Sequence, residues 1–152
     1  MKGLIQRVSK ASVTVDGAEI GAIQRGVLLL LGVEQGDNAR CAEELCRKIL
    51  SYRIFPDDQG RMNRSLLDIE GELLVVPQFT LAADTRSGTR PGFSYAAKPE
   101  LANTLFLDFV EYAKGSMDMS RVAAGRFGAD MKVALINDGP VTFLLEVSGT
   151  EV

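Results

Sequence analysis

The sequence predicts an α+β fold: a curved, mostly antiparallel sheet or partial β-barrel with two amphipathic helices packed outside. Three observations carry that expectation. Apolar and polar residues alternate with period two near the start of the chain, two stretches repeat apolar residues at helical spacing, and the strands are joined mostly by short turns. A chain of 152 residues is the size of one ordinary domain, so residues 1–152 are read as a single domain.

The elements follow in order. "LIQRV" and "SVTVDGAEIGAI" alternate apolar and polar residues, and Asp16-Gly17 is a hairpin signal, so the chain opens with two or three antiparallel strands. "GVLLLLGV" is apolar throughout but far short of the roughly 20 residues that span a bilayer, and reads as a core strand. With Asp37 or Asn38 as N-cap, apolar side chains recur at Cys41, Ala42, Leu45, Cys46, Ile49 and Leu50, which predicts the first helix. "YRIF" reads as a short strand and "PDDQGRMNRS" as a turn-rich loop. "GELLVVPQFTL" is a further strand, and the polar loop "AADTRSGTRPGFS" follows it. The second helix starts near Pro99, buries Ala102, Leu105, Phe106, Phe109, Val110 and Ala113, and stops at Gly115. The tail "MKVALINDGPVTFLLEV" reads as strand, sharp turn at Asp138-Gly139-Pro140, and strand.

Composition narrows the chemistry. The sequence contains no histidine, which removes Ser-His-Asp and Cys-His nucleophile systems and His-ligated zinc. Cys41 and Cys46 lie five apart on a helix, about 500° around its axis, so they diverge and suit neither a disulfide nor a metal clip. They read as small buried apolar side chains in a reducing compartment. A net charge of −3 argues against a long basic face gripping nucleic acid, while leaving room for a local contact. The N-terminus "MKGLIQRV" has no signal-peptide pattern, and no apolar run spans a membrane, so a cytoplasmic protein is expected.

Two stretches could carry chemistry. In "VVPQFTLAADT" Pro77 interrupts the strand, so the amides that follow need other partners. Free N–H groups at Phe79 and Thr80 beside the threonine hydroxyl could bind a developing oxyanion; alternatively Thr80 bonds locally and Phe79 packs in the core. In Asn137-Asp138-Gly139-Pro140 the plain reading is a β-turn, and the sharper one a rigid backbone probe aimed at a ligand.

"LIQRVSKASVTV", "PQFTLAADTRSGTRPGFS" and "NDGPVTF", in that order and at these separations, closely resemble the D-aminoacyl-tRNA deacylase family over nearly the whole chain. The resemblance implies a cytosolic homodimer, with active sites at the subunit interface, that cleaves the ester between a D-amino acid and the 3′ end of tRNA without metal or cofactor. It implies that Gln78, Phe79 and Thr80 form the catalytic pocket wall and that Gly139-Pro140 is the family's Gly-cis-Pro element, which enters the partner subunit's site. Phe127 and Met131 match positions lining the adenosine pocket, and Arg7 matches a residue that holds the Gly-Pro element. The family motif usually has serine where this chain has Pro77, which leaves the role of that position open.

With no imidazole to activate it, Thr80 is a weak nucleophile, and Asp84 as an ordinary carboxylate is a poor base for an alcohol. The expected mechanism is therefore RNA-assisted hydrolysis, in which backbone amides near Phe79 and Thr80 hold the oxyanion and the terminal 2′-hydroxyl positions or activates water. A backbone wall would admit D-residues and glycine and reject L-residues. Arg7, Arg86 and Arg90 are the basic contacts considered for tRNA. The alternatives are a non-enzymatic homodimeric binding module and a general metal-independent esterase using Thr80.

Overall fold

A 14-residue first strand, β1 (Lys2–Val15), supplies hydrogen-bonding edges to much of the molecule. The computed structural model describes residues 1–149. At the end of β1, Asp16 and Gly17 both take positive φ, 50° and 78°, the requirement of a type I′ hairpin turn. Strand β2 (Ala18–Ile23) returns along the far half of β1, and β3 (Gly26–Gly32) continues along the near half. Gly26 is obligatory at that step: a Cβ there would lie 1.8 Å from the Glu72 carbonyl oxygen.

Helix α1 (Ala39–Ser51) follows, its amide at Cys41 donating to the Asn38 side chain at 3.1 Å. Strands β4 (Phe55–Pro56) and β5 (Met62–Arg64) form a small separate ribbon, so only the end of "YRIF" is extended and paired. Strand β6 (Glu72–Pro77) pairs parallel to β3, and after helix α2 (Pro99–Ser116) strand β7 (Val122–Ala124) pairs parallel to β6. Parallel neighbours need crossovers, and each helix is one. The sheet is thus mixed, with its antiparallel part centred on β1. Strand β8 (Lys132–Glu146) runs antiparallel along the other edge of β1.

The α+β expectation is met, and the packing explains the unbroken apolar run of β3. Val27, Leu29 and Leu31 join Ile5, Leu73 and Val75 beneath the buried faces of both helices. Leu28 points the other way, into a second cluster with Val8, Val13, Leu74 and Val76, against which Met131, Val133 and Leu135 pack as the sheet curls. A strand covered on both faces has no place for polar alternation. The helical faces expected from sequence are the buried ones: Cys41, Ala42, Leu45, Cys46, Ile49 and Leu50 in α1, and Ala102, Leu105, Phe106, Phe109, Val110 and Ala113 in α2.

The tail differs from expectation. Asp138-Gly139-Pro140 does not reverse the chain; β8 is one strand that keeps its direction along β1 throughout. The ladder skips here: Val8 faces Asn137 and Gln6 faces Thr142, so residues 138–141 are extruded as a large bulge. A bulge is one of the few places where a strand tolerates proline.

Asp37, considered as a helix cap, serves elsewhere. Its carboxylate accepts the Met1 ammonium at 2.8 Å and the Glu34 amide at 2.7 Å, while the ammonium also donates to Val147 O at 2.6 Å. The Asp37 side chain is only 2% exposed, and removing it leaves the buried ammonium with the longer contact to Glu34 Oε1 at 3.3 Å as its one carboxylate partner among the described residues. Asp37→Ala should lower unfolding stability by about 3 kcal/mol, read as a fall in the urea midpoint.

Both cysteines are free and buried. Burial pushes the Cys46 thiol up to about 12 from its ordinary 9.0. Its contribution to stability is complete below the unfolded-state value and is lost as pH rises from 9.0 through about 12, because only the unfolded chain ionises readily there. At neutral pH a thiol-specific reagent should leave Cys46 unmodified in the folded protein and titrate it after denaturation; rapid labelling in the native state would contradict this.

Candidate active site

The end of β6 builds the site. Gln78 N donates to Leu31 O at 2.8 Å, so pairing with β3 continues one residue past the proline. Neighbouring amides in a strand alternate sides, and Pro77 therefore directs its missing N–H toward β7, whose own strand has ended at Ala124. The chain then tightens into a 3₁₀ turn, Phe79–Ala82. Phe79 and Thr80 begin that turn, where backbone amides have no intrahelical acceptor.

The plainer reading of this stretch, local bonding of Thr80 and core packing of Phe79, is half realised. The Gln78 side-chain amide donates to Thr80 Oγ1, so the hydroxyl does bond locally. Phe79 does not pack in the core: it is 58% exposed. Among the described residues, no base hydrogen-bonds to Thr80. Asp84 is held by a fork from Arg86, with Nε to Oδ1 at 2.9 Å and Nη2 to Oδ2 at 3.1 Å. That side-chain bonding, with the Arg86 amide, lowers the carboxylate to about 2, which makes it a weaker base still.

Beside the turn lies a cavity of about 500 Å³, lined by Gln78 and Phe79 on one side and by Phe127 and Met131 on the other. Two lining residues, Met131 and Pro77, pack directly on Gly125: a Cβ there would meet Met131 Sδ at 2.8 Å and Pro77 Cδ at 3.3 Å. The first turn of α2 completes the wall with Pro99 and Ala102. Sequence reading assigned these two only to helix initiation and core; their small or rigid side chains, facing aromatic residues, are the available signal. Among the described residues, no group of three or more Cys, Asp or Glu side chains converges in a way that could hold a metal ion.

The remaining sequence candidates stand together elsewhere. Gly139 and Pro140 lie exposed at the crest of the β8 bulge, joined by a cis peptide bond. Neither lines the cavity of its own chain, and strands β1 and β3 stand between β8 and β6. Arg7 braces the bulge from below: Nε donates to Asp138 O at 2.8 Å and Nη1 to Ile54 O at 2.7 Å. Asn137, which sequence reading placed only in a turn, closes the bulge on itself. Its Oδ1 accepts the Val141 amide at 2.7 Å and its Nδ2 donates to Thr142 Oγ1 at 3.0 Å.

The family model described as D-Tyr-tRNA(Tyr) deacylase matches residues 4–146. The chain belongs to that family. A D-aminoacyl-tRNA deacylase of Marinobacter nauticus is 69% identical over 96% of this chain and 94% of the relative. One from Pseudomonas aeruginosa strain UCBPP-PA14 is 58% identical over 96% of this chain and 99% of its own. Among solved structures, one titled c-Myc DNA Unwinding Element Binding Protein superposes with a TM-score of 0.93 at 40% identity, covering 97% of this chain and 99% of that one. A probable eukaryotic D-amino acid tRNA deacylase shares the fold, with a TM-score of 0.80 at 17% identity, over 96% and 98% of the two chains. The matched span in this D-Tyr-tRNA(Tyr) deacylase family member includes the whole cavity wall and the whole bulge.

The Arg7 side chain is 13% exposed, and truncating it leaves two carbonyls without their donors. Arg7→Ala should cost about 2 kcal/mol and raise amide hydrogen exchange at residues 139 and 141, with the β1–β3 ladder still protected. Unchanged exchange in the bulge would show that Asn137 alone suffices to hold it.

Proposed function

We propose that this protein hydrolyses the ester bond of D-aminoacyl-tRNA, releasing tRNA and the free D-amino acid, and acts in the cytoplasm as a chiral proofreader that spares L-aminoacyl-tRNA. The observation that carries the reading is the cavity itself: in a chain of this family, Gln78 and Phe79 face Phe127 and Met131 across about 500 Å³. That volume suits a nucleoside with its attached amino acid. Phe127 and Met131 receive the terminal adenosine, and the ester lies toward the 3₁₀ turn.

The division of labour follows from which groups are free. Thr80 has an amide as its neighbour, and Asp84 is locked in its Arg86 fork, so protein-derived general base catalysis has no obvious agent. The amides of Phe79 and Thr80 instead stabilise the oxyanion. The 2′-hydroxyl of the terminal ribose positions or activates the attacking water, and well-oriented neighbouring groups reach effective molarities of about 10⁵ M or more. No step in this route requires a metal or cofactor.

Selection by handedness requires a second copy of the chain. Among the described residues, strand β8 pairs only with β1, leaving a long edge on a strand that carries exposed Ile136 and Leu144, and such edges are normally covered. In a homodimer, Gly139 and Pro140 of one subunit enter the other's cavity and form a wall at the substrate α-carbon. Hydrogen fits against that wall, whereas an L side chain clashes by more than the roughly 1 to 3 kcal/mol usual for overpacking. Glycine has hydrogen on both sides and passes, so mischarged glycyl-tRNA is also cleaved.

The test compares D-tyrosyl-tRNA with L-tyrosyl-tRNA in the presence of a chelator. Release of the D form alone is expected. Equal release would indicate a general esterase, and no release a binding module. Thr80→Ala should keep substantial activity, whereas a 2′-deoxy terminal adenosine should be cleaved poorly; normal turnover of the deoxy substrate would reject the RNA-assisted route.

A further inference from the structure

The cavity wall does not end at its rim. Phe79 lines the cavity and is 58% exposed, and the ring of Phe93 lies 5.3 Å from it, centroid to centroid, tilted by 47°. Phe93 is itself 42% exposed. Two large aromatic faces left toward solvent are costly unless something covers them.

The segment that presents Phe93 is fixed in place. Asp84 and Gly92 exchange backbone hydrogen bonds at 2.7 and 3.0 Å, closing the polar loop just before Phe93. Beyond it, Ala96 bridges Glu34, and Ala97 N donates to Val33 O at 3.1 Å. The ring therefore projects from a short span anchored on both sides, which limits the ordering that binding must impose.

Charge along the segment that presents Phe93 departs from that of the whole molecule, although Asp130 also lines the cavity beside Phe79. Residues 85–98 carry Arg86, Arg90 and Lys98 and no carboxylate, in a chain of net charge −3. Arg86 is turned onto Tyr95 and Asp84, while no ion-pair partner of Arg90 or Lys98 is found among the described residues. Exposed aromatic rings flanked by available cations form the platform on which single-stranded nucleic acid stacks its bases.

We infer that the Phe79–Phe93 pair is a stacking shelf for the unpaired nucleotides immediately 5′ of the terminal adenosine, with Arg90 and Lys98 facing their phosphates. The inference rests on the cavity holding that adenosine, because its covalent attachment then brings the next bases out over the cavity rim. Recognition there is of single-strandedness and stacking, and any base can satisfy it.

The experiment compares D-tyrosyl-tRNA with D-tyrosyl-adenosine, which lacks every upstream nucleotide, as substrates for the full chain and for Phe93→Ala. The ratio of kcat/KM on tRNA to kcat/KM on the adenosine ester should fall roughly tenfold in the variant, through KM, and Phe93→Trp should restore it. An unchanged ratio overturns the shelf, including the case in which both substrates lose activity equally because Phe93 serves the cavity or the fold. A change of oligomeric state in Phe93→Ala, measured by sedimentation, also overturns it, since the ring would then be covered by a second copy. Failure of the native chain on D-tyrosyl-adenosine and D-tyrosyl-tRNA alike rejects the functional reading beneath it, whereas cleavage of both with an unchanged ratio rejects the shelf alone.

Discussion

Strand β1 hydrogen-bonds along both edges, and the rest of the architecture is arranged around that fact. On one side the chain folds back as β2 and then β3; on the other lies the whole of β8. A strand paired twice over 14 residues has little freedom to shift register, because a one-residue slip would turn Ile5, Val8 and Val13 out of their clusters. The same rigidity lets β1 support an irregularity. Four residues of β8 can be extruded opposite the single residue Arg7 because the ladder resumes on both sides and the guanidinium holds the displaced carbonyl.

The cavity arises from a different break in regularity. Parallel pairing with β3 carries β6 as far as Pro77 and Gln78, after which the chain has no further strand to follow and coils into a 3₁₀ turn. Helix α2 begins close by and the segment after β7 approaches from the other side, so three parts of the sequence meet around a space that none fills. The missing side chain at Gly125 lets two of its lining residues, Met131 and Pro77, pack against the backbone there. Structure and chemistry are linked here by local failures of secondary structure held in place by well-formed neighbours.

Much of this was legible in the sequence, for identifiable reasons. Both helices declare their buried faces through spacing alone, and Asp16-Gly17 specifies a hairpin through its backbone requirements. Parallel pairing was not legible, since an apolar strand buried on both faces carries no mark of its neighbour's direction. The tail misled for a related reason: Asp-Gly-Pro has turn chemistry, and only the pairing of β8 with β1 on both sides shows that the chain bulges and does not reverse. Asp37 and Asn38 both have capping side chains; the Met1 ammonium, distant in sequence, engages Asp37. At the site, Gln78, Phe79, Phe127 and Met131 converge as one cavity, whereas Asn137 was hidden because its bonds are to residues whose placement depends on the bulge.

The surface offered by the bulge is made of peptide groups and a proline ring, anchored by Arg7 and Asn137. Such a crest has no rotamers to flip and few side chains to vary. Outside Arg7, Asn137 and Gly139, where an added Cβ would lie 2.6 Å from Val141 Cγ2, point substitution therefore has little grip on its dimensions, while loss or gain of a single residue in β8 would reshape it at once. Evolutionary drift along this stretch should be tolerated in composition far more readily than in length.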